Sequence, residues 1–480
     1  MDARFSALFW GFLVLYGVVM YALSPRALSI SSFYRGTDER GRPASEWALT
    51  CSIFISWIFA KSVTNAANLG ASYGVVGGLA YAAYWLSIPL AGAVIYRLRT
   101  RHGAQGLVSF IIQRYGRTAA LAFSAAILVR LYNEVWSNTS VVGAYYGKSG
   151  EWSFIGAALL FTAATLFYSL KGGLRSSIAT DIVQSVLFVG VMAVVLMVVL
   201  PEHGLPALLS SGEFRLGSGV DLLLVALLQV LSYPFHDPVL TDRGFITGEK
   251  RMLRAFVVSG IVGFVCIFAF SLVGVHAKIE GLPGGDNMPG AVALAFGIVP
   301  YLLMTAVMVL AAGSTVDSTF ASISKAVGQE LPLLAGCSVE TTSGNSAGNS
   351  PDNRADNRAG GNAIRAGMWT MVAFAVLGNL PMIAGTDILK ATTVSGTMVM
   401  GLAPVFLLAP LVRYSPWSFH LAFWPGMVLG LLLALGYIPA SWAIGEGKYA
   451  LLLGTNLYGL FICFAGFLFP LAWRRLTVRR

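Results

Sequence analysis

Ala311-Ala-Gly-Ser314-Thr315-Val-Asp317-Ser318 is where an apolar run that starts near Ala291 turns polar without losing its helical pattern. Ala311, Ser314, Thr315 and Ser318 fall at i, i+3, i+4 and i+7, so a helix carries them on one face. Two adjacent hydroxyls with a carboxylate nearby offer hard oxygen ligands, which suit a small hard cation. Ser and Thr in apolar helices also bond back to their own carbonyls, and the stretch by itself leaves both readings open.

Around this stretch the composition is that of a membrane protein. Hydrophobic residues make up 56% and charged residues 11% of the chain, less than half the charged share of a soluble domain. Apolar runs long enough to cross a bilayer recur about thirteen times. They lie near 6–24, 47–70, 74–96, 118–146, 154–170, 178–200, 219–235, 255–277, 291–318, 367–385, 389–412, 420–437 and 449–473. The net charge of +10 is distributed by side and is not a nucleic-acid footprint. Alternate loops hold 24 Lys and Arg on one side and 6 on the other, which predicts an N-terminus outside and the Arg-rich tail in the cytoplasm. The leading Met1-Asp-Ala-Arg4-Phe5 carries almost no net charge and basic residues follow the first span, which predicts a retained anchor. The chain is therefore expected to be an all-α, multi-pass protein of a cell (inner) membrane, in contact with lipid and not nucleic acid.

The second span is the other unusual stretch. Trp57-Ile-Phe-Ala60-Lys61-Ser62-Val-Thr64-Asn65-Ala-Ala-Asn68-Leu-Gly70 places several polar side chains at bilayer depth, where each is costly unless it faces a cavity or a neighbour. The pattern predicts a helix broken near its centre, with freed carbonyls and exposed helix ends. Arg130 and Glu134, at i and i+4, read either as an intramembrane ion pair or as ligands. Asp181 reads as an interfacial cap or as a carboxylate on a transport pathway. Two prolines bracket a second break in Tyr233-Pro-Phe-His-Asp237-Pro238. Residues 337–363, rich in Ser, Asn, Gly and Asp, read as a disordered cytoplasmic loop. The four cysteines have no metal or redox spacing, and no phosphate loop, HExxH or nucleophile elbow occurs. An enzyme and a resident cofactor are not expected.

These residues resemble the sodium:solute symporter family, whose members include sodium/proline, sodium/glucose and sodium/sialic acid cotransporters. The likeness runs over about 47–412. It rests on Gly172-Gly173-Leu174 with Thr180-Asp181 and Gln184, on the polar second span ending Gly70-Ala-Ser-Tyr73, and on Ala311 with Ser314, Thr315 and Ser318. It implies two inverted five-helix repeats with discontinuous core helices, at about 47–200 and 219–412. Residues 1–46 would be an anchor and basic linker, and 413–480 two further helices and a tail. It implies a sodium site of the Trp57, Ala60 and Ala311 carbonyls with the Ser314 and Thr315 hydroxyls. Some relatives hold a second sodium, here at Asp181, Ser314, Asp317 and Ser318. Substrate would meet Lys61, Thr64, Asn65, Arg130 and Glu134. Arg130 lies on the helix from which a sialic acid carrier presents a carboxylate-binding arginine, and the guanidinium fork suits a carboxylate.

Lys61 fits that pattern least well. It is expected to be neutral through desolvation, to be neutralised by Glu134 or Asp237, or to snorkel into a wet vestibule. The function expected is sodium-coupled import of a small polar solute bearing a carboxylate, by alternating access, with Na+ as the coupling ion. A proton-coupled carrier of the same fold and a membrane solute sensor are the alternatives.

Overall fold

A bend of 56° separates α2 (Glu46–Ser56) from α3 (Ala60–Tyr73), and the other helices are arranged around it. The computed structural model describes residues 3–283, 285–336, 351–383, 395–409 and 415–477, with backbone only for 351–359 and 474–477. The remaining helices are α1 (Ala3–Leu23), α4 (Val75–His102), α5 (Arg117–Ala144), α6 (Trp152–Val199), the short apolar α7 (Val220–Gln229) and α8 (Glu249–Ile279). They continue with α9 (Ile298–Lys325), α10 (Pro351–Leu377), α11 (Pro416–Ala434) and α12 (Ala450–Thr477). All regular structure among the described residues is helical. Nine of these helices are long and apolar enough to cross a membrane, and the bent α2/α3 pair makes a tenth. Their outward faces carry large exposed apolar side chains such as Val18, Phe167, Ile261 and Phe461.

The two runs expected as separate spans, 154–170 and 178–200, are the two helical halves of α6, which part at Gly173 (φ 54°, ψ −133°). That backbone region is strained for any residue with a Cβ, and a Cβ there would lie 2.5 Å from the Phe33 carbonyl oxygen. The proline-bracketed break is present: α7 is followed by a 3-10 turn, Tyr233–His236, and a short helix, Pro238–Thr241. Asp237 caps that helix by accepting from the Val239 amide at 3.1 Å.

The expected loop at 337–363 needs correction. Residues 337–350 lie outside the described residues, but from Pro351 the chain is the helix α10. A docking contact accounts for its order near 360: Tyr34 donates to the Ala363 carbonyl at 2.7 Å, and Gly360 sits against Ile30. Of the span expected at 389–412, residues 389–394 and 410–412 also fall outside the described residues.

α3 packs along α8 at backbone distance. A Cβ on Gly274 would stand 1.7 Å from the Ala67 carbonyl oxygen, and one on Gly70 would stand 2.2 Å from that of Ser271. Only glycine permits that approach, the small-residue mode of packing used by membrane helices. On the other side of the break, α9 runs along α6 and α5, and α2 leans on α6. The break therefore lies between α6 and α9, at the level of Ser314 and Thr315.

Candidate functional site

Ending α2 at Ser56 leaves its last carbonyls without helical partners. Thr315 answers one of them: its Oγ1 lies 3.3 Å from the Ser56 carbonyl oxygen and 3.1 Å from that of Ala311. All three residues are buried. The carbonyl brought to Thr315 is that of Ser56, one residue before the expected Trp57. The Ala60 carbonyl accepts from Thr64 Oγ1 at 3.1 Å. Ser314 turns to the other flank of α9 and donates to Asp181 Oδ1. The break, Ala311 and Thr315 thus meet in one buried place, with Ser56 as the member the spacing did not single out, while the neighbouring Ser314 side chain is directed to Asp181.

The residues named for a second cation converge as well, around a positive charge that the chain itself supplies. Asp181 is no interfacial cap; it lies inside α6, fully buried, and Arg243 Nη2 reaches its Oδ2 at 3.1 Å. The same nitrogen contacts Ser318 Oγ at 2.8 Å and Ser177 Oγ at 3.3 Å, and Arg243 Nε donates to Ser52 Oγ at 2.7 Å. Asp317 accepts from Ser177 at 2.8 Å, from Thr180 at 3.0 Å and from Ser318 at 3.2 Å. Arg243 opens a basic stretch that continues with Lys250, Arg251 and Arg254. Its side chain is 0% exposed, because the turn after the Pro238–Thr241 helix folds it back into the core. Ser177 had a readable signal, four residues before Asp181 on the same helical face; Arg243 had none.

A second buried charge cluster lies beyond the break. Lys61 Nζ contacts Glu134 Oε1 at 2.6 Å and Ser137 Oγ at 3.0 Å. Arg130 bridges Glu134 and Asp237, the latter at 2.9 Å. The Trp57 indole donates to Asp237 Oδ2 at 3.0 Å, and Asn138 joins Glu134 Oε2 to the Ala60 amide, both at 3.0 Å. Phe59 and Tyr233 cover the Arg130 guanidinium at 5.3 and 5.1 Å from their ring centroids. Two cations and two anions alternate, so the cluster is neutral overall. Lys61 is accordingly paired with Glu134, and Arg130 has two protein carboxylates as partners.

A cavity of about 800 Å³ opens from the far end of α3, and Lys61, Thr64 and Asn65 form part of its wall. Arg130 and Glu134 are not among its lining residues. Lys278, Lys448 and Asp286 stand on the same wall. Asn65 and Ser62 are both within 3.2 Å of the Tyr81 hydroxyl, which fixes the polar face of α3 beside the cavity.

Comparison with known proteins adds three findings. Residues 40–212 match the model of the sodium:solute symporter family. Sodium/glucose cotransporter 4 of Danio rerio is 25% identical over 186 residues, 36% of this chain and 28% of that protein. The human sodium/glucose cotransporter 4 is 26% identical over 153 residues, 31% of this chain and 22% of that one. The matched stretch thus spans less than a third of those relatives. The structure of a Na+-coupled sialic acid symporter, substrate-bound and outward-open, superposes with a TM-score of 0.69 over 97% of both chains at 15% identity. That likeness concerns the fold. The resemblance read from the sequence therefore holds: over residues 40–212 this chain matches the sodium:solute symporter family, a family of transporters and not of enzymes, on a fold shared along almost its whole length with a sodium-coupled symporter.

Proposed function

We propose that the chain is a sodium-coupled symporter that imports a small polar, carboxylate-bearing solute by alternating access. The observation that carries this reading is the meeting of Thr315 with the broken α2/α3 helix, its Oγ1 lying 3.3 Å from the Ser56 carbonyl. A sodium ion held there by Ala311, Ser314, Thr315 and the carbonyls of the break (Ser56, Trp57, Ala60) would clamp α2/α3 to α9. Neutral oxygens suit a monovalent ion that must also leave. The membrane potential supplies about 2.3 kcal/mol per charge per 100 mV, and a tenfold sodium gradient roughly 1.4 kcal/mol. One sodium could then sustain roughly a 500-fold solute gradient in the ideal limit.

The family's two inverted repeats, about 47–200 and 219–412, are supported here by a broken helix at the start of each, α2/α3 in one and α7 with Tyr233–His236 in the other. By the charge rule the cavity opens on the outer side, so Lys61, Thr64 and Asn65 would meet solute arriving from outside. Arg130 is committed to Glu134 and Asp237, so we move the preference for an anion to the cavity wall. There Lys278 and Lys448 outnumber Asp286, a local field that draws carboxylates.

A second reading has one specific observation behind it. Asp181 pairs with the Arg243 guanidinium, Asp317 is joined to it through Ser177 and Ser318, and this trio carries one negative charge in excess if both carboxylates are ionised. A proton on Asp317 would balance it as a second sodium would. The deciding experiment is uptake into proteoliposomes from a panel of amino acids, carboxylates, sugars and urea, under a sodium gradient or a proton gradient alone. Uptake that needs sodium supports the proposal; uptake driven by protons with sodium absent overturns it.

A further inference from the structure

Two of the chain's five histidines meet at one end of the bundle, away from both charge clusters. His203 follows the turn Leu200–Glu202 that ends α6, and His276 lies in the last turn of α8. Their ring centroids are 5.0 Å apart. Glu202 Oε2 lies 3.7 Å from His276 Nε2, and Glu280 Oε1 lies 2.9 Å from His203 Nε2. One ligand atom each from Glu202, His203 and His276 can be chosen so that all three lie within 4.8 Å of one another. The pairs are presented in the two ways a chain can present ligands locally. His276 and Glu280 are i and i+4 on one helical face, while Glu202 and His203 are neighbours just before Gly204 (φ 71°).

Hydrogen bonding leaves this cluster incomplete. His276 is only 2% exposed, yet its Nδ1 has no hydrogen-bond partner among the described residues. His203 Nε2 has none either; the Glu280 carboxylate is close but out of line. Buried ring nitrogens without partners are rare enough to need a cause. Imidazole and carboxylate together suit zinc and neighbouring divalent metals, at metal–ligand distances near 2.0–2.2 Å. Small rotations of the two glutamates, half exposed at 53% and 46%, would close the set. The same exposure is a path for the ion from water.

We propose that Glu202, His203, His276 and Glu280 form a binding site for one divalent transition-metal ion of the zinc class. The ion ties the end of α6 to the end of α8. His276 stands two residues beyond Gly274, which lies against the α3 backbone, and the next residues, Ala277 and Lys278, line the cavity. The metal therefore braces the helix that backs the outer half of the broken span.

The test uses the full chain, purified in detergent and stripped with a chelator. Zn2+ binding is followed by calorimetry, and Co2+ binding by its visible absorption, which reports nitrogen and oxygen ligation. One ion per chain is expected, with affinity falling at least tenfold in His203→Ala and in His276→Ala. Zn2+ is also expected to raise the melting temperature of the parent chain and not that of His203→Ala. If His276→Ala fails to fold, His203→Ala and Glu202→Gln, at more exposed positions, decide the matter. Absence of stoichiometric binding, or equal affinity in the parent chain and the surviving variants, overturns the proposal.

Discussion

Ser314 and Thr315 are adjacent hydroxyls, but the fold gives them different surroundings. Thr315 touches only carbonyl oxygens, those of Ser56 and Ala311, whereas Ser314 is also tied to Asp181. Thr315→Ala is thus the cleaner probe of the sodium site. Losing one ligand to a charged guest costs about 1.5–3 kcal/mol, so sodium for half-maximal uptake should rise about tenfold or more, with yield and melting temperature near those of the parent. An unchanged sodium dependence would remove Thr315 from the site. Lys61 and Glu134 make the second residue-level prediction. Glu134→Gln leaves Lys61 and one side of Arg130 short of an anion, and breaking a buried pair in this way costs about 3–5 kcal/mol. Adding Lys61→Met should restore much of the loss, read as melting temperature in detergent. If Glu134→Gln alone melts like the parent, the Lys61 contact with Glu134 carries no weight.

At the scale of elements, the contact between α3 and α8 is the least tolerant. Gly274→Ala would drive a methyl group into the Ala67 carbonyl, and backbone cannot rotate aside as a side chain can. Overpacking of this kind costs about 1–3 kcal/mol. We expect a lower melting temperature and impaired uptake from Gly274→Ala, with little change from Gly190→Ala, where nothing lies within 4 Å. Equal behaviour of the two would mean the helices can separate freely. The broken span was legible because its cause is local: Lys61, Thr64 and Asn65 cannot face lipid, and the chain around them cannot remain a plain spanning helix. The start of α10 was not legible. Its composition is that of a loop, and its docking depends on Tyr34, more than 300 residues away (|i−j| = 329).

For the molecule as a whole, the Asp181, Asp317 and Arg243 group carries one negative charge in excess when both carboxylates are ionised. Arg243 already contacts Asp181, Ser177 and Ser318, so Asp317 is where a coupling proton or a second sodium would act. With a single sodium at the Thr315 site as the coupling ion, Asp317→Asn should leave the sodium dependence of uptake first order. Loss of all uptake under a proton gradient, in a variant that still binds sodium, would favour proton coupling.

Sequence alone determined that the chain is a helical membrane protein, that its second span is broken, and that the stretch ending in Ser318 carries a polar face. Each of these follows from local physics: apolar run length, the cost of polar groups in lipid, and the period of the helix. It also carried the family likeness, through short motifs at fixed spacing. Only the tertiary structure decided the partners. That Arg130 also reaches Asp237, that Arg243 fills the neighbourhood of Asp181, and that His203 meets His276 are facts about elements distant in sequence. A buried charge is defined by what neutralises it, and in this chain most of the neutralising groups come from another helix.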